Sequence, residues 1–142
     1  MEQQNFKNHK RILISFHVLT FSAILALLIG SIMNLTHSAK ENLYSSSLLI
    51  LVAVILLLLF YYVRLFPLKA QDRAIRAEEK LRYYILTGKA LSNKLTTRQI
   101  IGLRFAPDEE LVALVEKAEK ENLPEDDIKK AIKNWKSDTY RV

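Results

Sequence analysis

Two long apolar blocks fill the first half of the chain, and the second half switches to short apolar stripes at helical spacing. From Ile12 to Leu35 there is no Asp, Glu, Lys or Arg, and from Leu43 to Val63 there is none either. Each run exceeds the roughly 20 residues that cross about 30 Å of hydrocarbon at about 1.5 Å per residue. Lipid offers no partner to a backbone N–H or C=O, so the pattern predicts two transmembrane helices, 12–35 and 43–66, joined by a turn over 36–42. The first run is read as a retained span rather than a cleaved leader. It is too long for a signal-peptide core, and His37 occupies the position two before Ala39 where a small residue is wanted.

Beyond Phe66, Pro67 lacks a backbone N–H and is predicted to end or kink the second span. The segment AQDRAIRAEEKLRYYIL then resumes helical periodicity, with Ala74, Ala77, Leu81, Tyr84 and Ile85 on one side as the face expected to be buried. Thr87-Gly88 is its stop. Thr96-x-x-Gln99 is a capping-box pattern that opens a short helix through Ile100, Ile101 and Leu103. Phe105-Ala106-Pro107-Asp108 makes a corner, with Pro107 suited to the first helical position and Asp108, Glu109 and Glu110 placed at the positive end of the next helix. Leu111, Leu114, Val115 and Ala118 form its apolar stripe. Leu123-Pro124-Glu125-Asp126-Asp127 repeats the start signal for a last helix carrying Ile128, Ala131, Ile132 and Trp135. The fold class is therefore all-α, a two-helix transmembrane hairpin followed by a small cytoplasmic domain of three to four helices. Its expected divisions are an N-terminal segment 1–11, the spans and turn, the helical domain 67–136, and a frayed stretch 137–142.

Charge sets the orientation. Lys7, Lys10 and Arg11 precede the first span, Arg64, Lys69, Arg73, Arg76, Lys80 and Arg82 follow the second, and Lys40 alone lies between them. The excess of Lys and Arg belongs on the cytoplasmic side, so both termini are expected in the cytoplasm. Between Arg64 and Arg104 ten basic residues face three acidic ones, while from Phe105 onward seven basic residues meet ten acidic ones. A basic segment next to a bilayer suggests contact with anionic lipid, assigned to Arg73, Arg76, Lys80 and Arg82.

The chemistry of catalysis is missing from this pattern. There is no cysteine, and His9, His17 and His37 are too far apart for a local metal motif. With only three glycines there is no phosphate loop, and each acidic cluster follows a proline at a helix start, where dipole compensation explains it. No enzyme, metal or cofactor is expected. His17, the one titratable side chain inside a span, reads as a neutral hydrogen-bonded group ahead of a proton relay, because the second span offers it no polar partner between Leu48 and Leu59. Ser15, Ser22, Ala26 and Gly30 lie along one helix face and suggest a close-packing seam within the hairpin or between copies. The corner at Phe105 to Asp108 resembles a helix-turn-helix, but its second helix opens with Asp108-Glu109-Glu110, which DNA phosphates would repel. A membrane-tethered nucleic-acid binder is therefore the less favoured reading, behind partners of three other classes: the lipid bilayer, a membrane or cytoplasmic protein, and a second copy of the chain.

The run AIRAEEKLRYYILTGKALSNKLTTRQIIGLRFAPDEELVALVEKA, together with the amino-terminal QNFKNHKR and two intervening spans, resembles an uncharacterised bacterial two-span membrane-protein family, a domain of unknown function. Its most specific parts are EEKLRYYILTGK, RQIIGLRFAPDEE and QNFKNH. Members are sometimes labelled transporter permeases, a label that nothing in this sequence supports; a small subunit of a membrane transport complex stands on its own as the alternative to an interaction module, because the sequence does not separate the two. The resemblance implies a bacterial cytoplasmic membrane as the location. It implies no catalytic residue, substrate or cofactor.

Overall fold

The apolar runs and the stripes become helix, except for Ile12 and Leu13 at the start of the first run and Ile132 and Trp135 at the end of the last stripe. The structure is a computed structural model that describes residues 4–9 and 12–138, and every regular element among them is helical. The chain divides into two units, Arg11–Pro67 and, as the second, Leu68–Val142 together with Met1–Lys10.

In the first unit, a wide π-type segment, Ser15–Thr20, runs directly into α1, Phe21–His37. Thr20 Oγ1 donates to the Ser15 carbonyl at 2.9 Å, a side-chain bond across five residues that suits the wider turn. A 3-10 turn at Lys40–Asn42 leads to α2, Leu43–Thr87. Thr36 and His37 thus belong to α1, not to the expected turn. The segments Ser15–His37 and Lys40–Thr87 are both long and apolar enough to cross a membrane.

The seam inside the hairpin is not the expected one. Ser15, Ser22, Ala26 and Gly30 are exposed, and nothing approaches within 4 Å of a Cβ placed on Gly30. The buried positions are Ile24 and Ser31 on α1 and Ser46 and Ala53 on α2, each pair seven residues apart, the spacing of helices that meet at a shallow angle. Polar atoms select this face. Asn34 donates to Ser46 Oγ at 3.0 Å, and Ser38 and Ser46 hydroxyls meet at 2.6 Å beside the turn. Further along, Phe16 and Phe60 stack with centroids 4.5 Å apart. Small residues permitted close approach on one face, but hydrogen bonds near a short turn fixed another.

Pro67 lies inside α2, which continues for twenty residues to Thr87 instead of ending there. Proline removes one N–H and crowds one carbonyl, a cost of about 3 kcal/mol. Ending the helix at that point would leave four carbonyls to find new partners, with no capping glycine nearby.

In the second unit, α3, Thr97–Leu103, α4, Asp108–Glu121, and α5, Glu125–Ala131, surround Ile100, Leu103, Phe105, Leu111 and Ile128, all fully buried. The capping box at α3 forms as expected, with Gln99 N–H donating to Thr96 Oγ1 and Thr96 N–H to Gln99 Oε1. The Gln99 amide also donates to the Leu123 carbonyl at 2.9 Å, so the cap ties the start of α3 to the end of α4. That end is set by Asn122, whose φ of 47° turns the chain out of the helix. Pro107 and Pro124 stand one place earlier than expected. They have extended backbones just before α4 and α5, and their carbonyls accept the first helical N–H bonds.

Leu111, Leu114, Val115 and Ala118 are buried as the stripe implies. The last helix is shorter than expected, ending at Ala131. Ile132 is buried and Trp135 partly so from beyond the helix, where the chain is held by Lys136 N–H donating to the Phe105 carbonyl at 2.8 Å. Leu91 and Leu95, in the loop before α3, complete the core without any periodic pattern to announce them. Within the expected frayed stretch, Asp138 is fixed by two neighbours, and 139–142 lie outside the described residues.

Helix α3 rests against α5 through Gly102. A Cβ there would meet the Glu125 carbonyl oxygen at 3.1 Å and Ile128 Cγ2 at 3.3 Å. Gly102→Ala is therefore expected to destabilise the full chain in detergent by about 1–3 kcal/mol through overpacking. Gly30→Ala, with open space around it, is the control. Thermal unfolding followed by circular dichroism checks both, and equal midpoints for the two variants would contradict the close approach.

Candidate interaction site

Two features of the second unit concentrate polar and aromatic groups: the face of α2 that holds the small helices, and an aromatic cluster closed by the N-terminal segment. The first begins with Arg82. Its side chain is 14% exposed, and its guanidinium contacts Glu79 Oε2 at 3.1 Å, Asp108 Oδ1 at 2.6 Å and the Ala106 carbonyl at 2.7 Å. Ile75 and Glu79 are buried on the same side of the helix, and Tyr83 packs against the core. Burial pushes the Glu79 carboxyl above the ordinary range, and the charge and hydrogen bond of Arg82 oppose that rise.

This arrangement reverses the expected face of α2. The stripe of Ala74, Ala77, Leu81, Tyr84 and Ile85 is exposed, with Leu81 at 60% and Ile85 at 72%. The small helices bury their own apolar residues against one another and meet the side of α2 that carries Ile75, Glu79, Arg82 and Tyr83, with Arg82 bound to the Ala106 corner. The corner itself is closed, with Phe105 and Ala106 fully buried and the Ala106 carbonyl taken by Arg82. Of the four basic residues assigned to lipid, Arg82 is therefore withdrawn into the domain, a correction to its expected role. Lys80 donates to Asn93 at 3.3 Å, and Arg73 and Arg76 are exposed.

The second feature was not legible as a site. Asn5 and Asn8 side chains close a tight turn, with Asn5 N–H donating to Asn8 Oδ1 at 2.6 Å and Lys7 N–H to Asn5 Oδ1 at 2.8 Å. The turn delivers His9 into a buried position between Phe6, Phe105 and Trp135, at centroid distances of 5.7, 5.9 and 5.7 Å. His9 Nδ1 lies 2.6 Å from the Phe6 carbonyl, which can only accept, so that nitrogen carries the proton. Nε2 then faces the Lys129 ammonium at 3.5 Å, and Lys129 is paired to Glu125 at 2.6 Å. Gln4 grips Asp138, accepting its N–H at 2.7 Å, while the Asp138 carboxylate pairs with Arg104 at 3.2 Å. Arg104 stacks over the Phe105 ring at 4.5 Å, and burial lowers its pKa from the ordinary arginine value. The motif QNFKNH carried no periodicity to read. Only its paired asparagines hinted at an ordered turn.

His17 Nδ1 lies 3.1 Å from both the amide nitrogen and the carbonyl oxygen of Leu13. Among the described residues no three His, Asp or Glu side chains gather as a metal site. The geometry is that of polar fasteners holding helices, with an apolar helix face left open.

The class so defined is an all-helical protein with two long apolar helices and a small helical domain. Over residues 1–142 the chain matches a family of unknown function, DUF6526, and it belongs to that family. No curated protein and no solved structure matches it.

Arg82→Gln is expected to cost about 1.5–3 kcal/mol, the range for a hydrogen bond to a charged group, whereas Arg76→Gln on the open side should stay within about 0.5 kcal/mol. Chemical denaturation of the two variants tests this, and equal stability would contradict the fastening role of Arg82.

A pH dependence follows from Glu110. Its carboxylate accepts N–H bonds from Lys133 at 2.9 Å and Asn134 at 3.0 Å, and the Lys133 bond leads in holding its pKa below the ordinary 4.5. A depressed carboxyl pKa contributes stability above the unfolded value that is lost as pH falls through the folded value. Glu79, shifted upward, acts in the opposite sense: its contribution favours the fold at low pH and is lost as pH rises through its folded value. The unfolding midpoint should therefore drop less between pH 6 and pH 3 in Glu110→Gln than in the parent chain, and parallel curves would refute the assignment.

Proposed function

We propose that the protein is a non-enzymatic, two-span integral membrane protein that presents its helical domain on the cytoplasmic side as an interaction module. One observation carries the topology. Gln4, Phe6 and His9 pack with Phe105, Lys129, Trp135 and Asp138 in a single unit, and the two apolar helices account for the chain between Lys10 and Leu68. An odd number of crossings would place those partners on opposite sides of the bilayer. The positive residues flanking the hairpin then select the cytoplasm.

The lipid-facing role of the basic helix is narrowed. Arg82 serves the domain, and along a helix that continues through Pro67 the backbone of Lys80 lies about 24 Å of rise beyond that of Arg64. Electrostatic attraction to a surface fades over about 8–10 Å at physiological salt. Arg64 and Lys69, and then Arg73, are the residues best placed for headgroups. A protein surface is the better account of the open face further along.

Reporter fusions at Lys40 and after Arg104 test this reading. The expected outcome is an extracytoplasmic signal from Lys40 and a cytoplasmic one after Arg104. A cytoplasmic signal at Lys40 would overturn the hairpin.

A further inference from the structure

We propose that the open face of α2 beyond Pro67 is a dimer interface, and that its occupant is the same face of a second copy, running parallel. The inference deepens the interaction-module reading and rests on the chain being membrane-anchored. Ala74, Ala77, Leu81 and Tyr84 are separated by three, four and three residues, the a and d positions of a seven-residue repeat, and all four are exposed. In the same frame Ile75, Glu79, Arg82 and Tyr83 fall at b, f, b and c. These are the positions that hold the small helices, so the domain occupies one side of α2 and leaves the opposite side free.

Three considerations identify a second copy. The two alanines keep the interface narrow where the helices leave Pro67, and Leu81, Tyr84 and Ile85 thicken it toward the end. Arg73 falls at g and Glu78 at the following e, both exposed. In a parallel pair the g side chain of one helix meets the e side chain of its partner in the next heptad, so Arg73 faces an opposite charge on each side of the dimer. Finally, copies inserted the same way in one bilayer present α2 in the same direction and at the same height. That fixes the orientation and register that the Arg73 to Glu78 pairing requires. Two heptads are short for a coiled coil in solution, but confinement to a shared membrane raises the effective concentration.

The absence of cysteine makes the test direct. Single substitutions Ala77→Cys and Leu81→Cys at the interface, with Arg76→Cys and Leu86→Cys as exposed controls outside it, are made in the full chain and oxidised in native membranes. The expected result is a disulfide-linked dimer from positions 77 and 81 and little from 76 and 86. In the Ala77→Cys background, Arg73→Glu should lose the dimer band and Arg73→Glu with Glu78→Arg should regain it. The double exchange preserves the fold and tests pairing alone. Carbonate washing of the same membranes separates the two levels. If the chain washes free, the membrane reading fails. If it stays in the membrane but links equally at all four positions, or at none, the parallel dimer fails while the anchor stands. Linkage of positions 77 and 81 to a different protein would also overturn it, by showing another occupant of the face.

Discussion

The way the small helices are fastened to α2 depends on the guanidinium of Arg82. It is the one group that reaches a carboxylate on its own helix, a carboxylate at the start of α4 and a backbone carbonyl in the α3–α4 corner. A planar fork of donors can satisfy three acceptors at fixed angles, which an ammonium on a flexible stem cannot do with the same geometry. The corner carbonyl of Ala106 is buried and would need a partner in any packing. Supplying it from α2 fixes both the rotation of that helix and the height at which the small helices meet it. The apolar stripe is left outside as a result.

Hydrophobic pattern and polar fastening therefore divide the work unequally along the chain. In α3 and α4 the stripes read from the sequence are the faces that are buried, of the α5 stripe only Ile128 is buried from the helix itself, and the capping box at Thr96 and the acidic helix starts fall where local rules put them. Those features depend on neighbours a few residues away. The rotation of α2, the seam of the hairpin and the position of the N-terminal segment depend on partners far along the chain, and none was legible. Ser46, which selects the hairpin seam, looks like any serine at a helix start, and Arg82 looks like its basic neighbours. Pro67 misled in a different way, since its effect on a helix depends on whether better alternatives exist for the carbonyls that a break would release.

Buried charge in the second unit is handled by pairing in chains. Lys129 lies between Glu125 and the imidazole of His9, and Arg104 between the Phe105 ring and Asp138. Such chains add little net stability compared with apolar packing, but they penalise any alternative arrangement that would strand a charge. Here they specify which loop lies against which helix in a domain whose apolar core is small. Glu125 also supplies the carbonyl that Gly102 must clear, so the close approach of α3 to α5 and the ion pair to Lys129 are set by one residue.

The clasp between Gln4 and Asp138 joins positions 134 residues apart in sequence. During synthesis the turn that carries Gln4 and His9 is made before the helices it packs on, and the clasp cannot close until Asp138 has also emerged. By then both long apolar helices have been made. Closure of the domain is thus a late event in biogenesis, and the packing of His9 against Trp135 comes late with it.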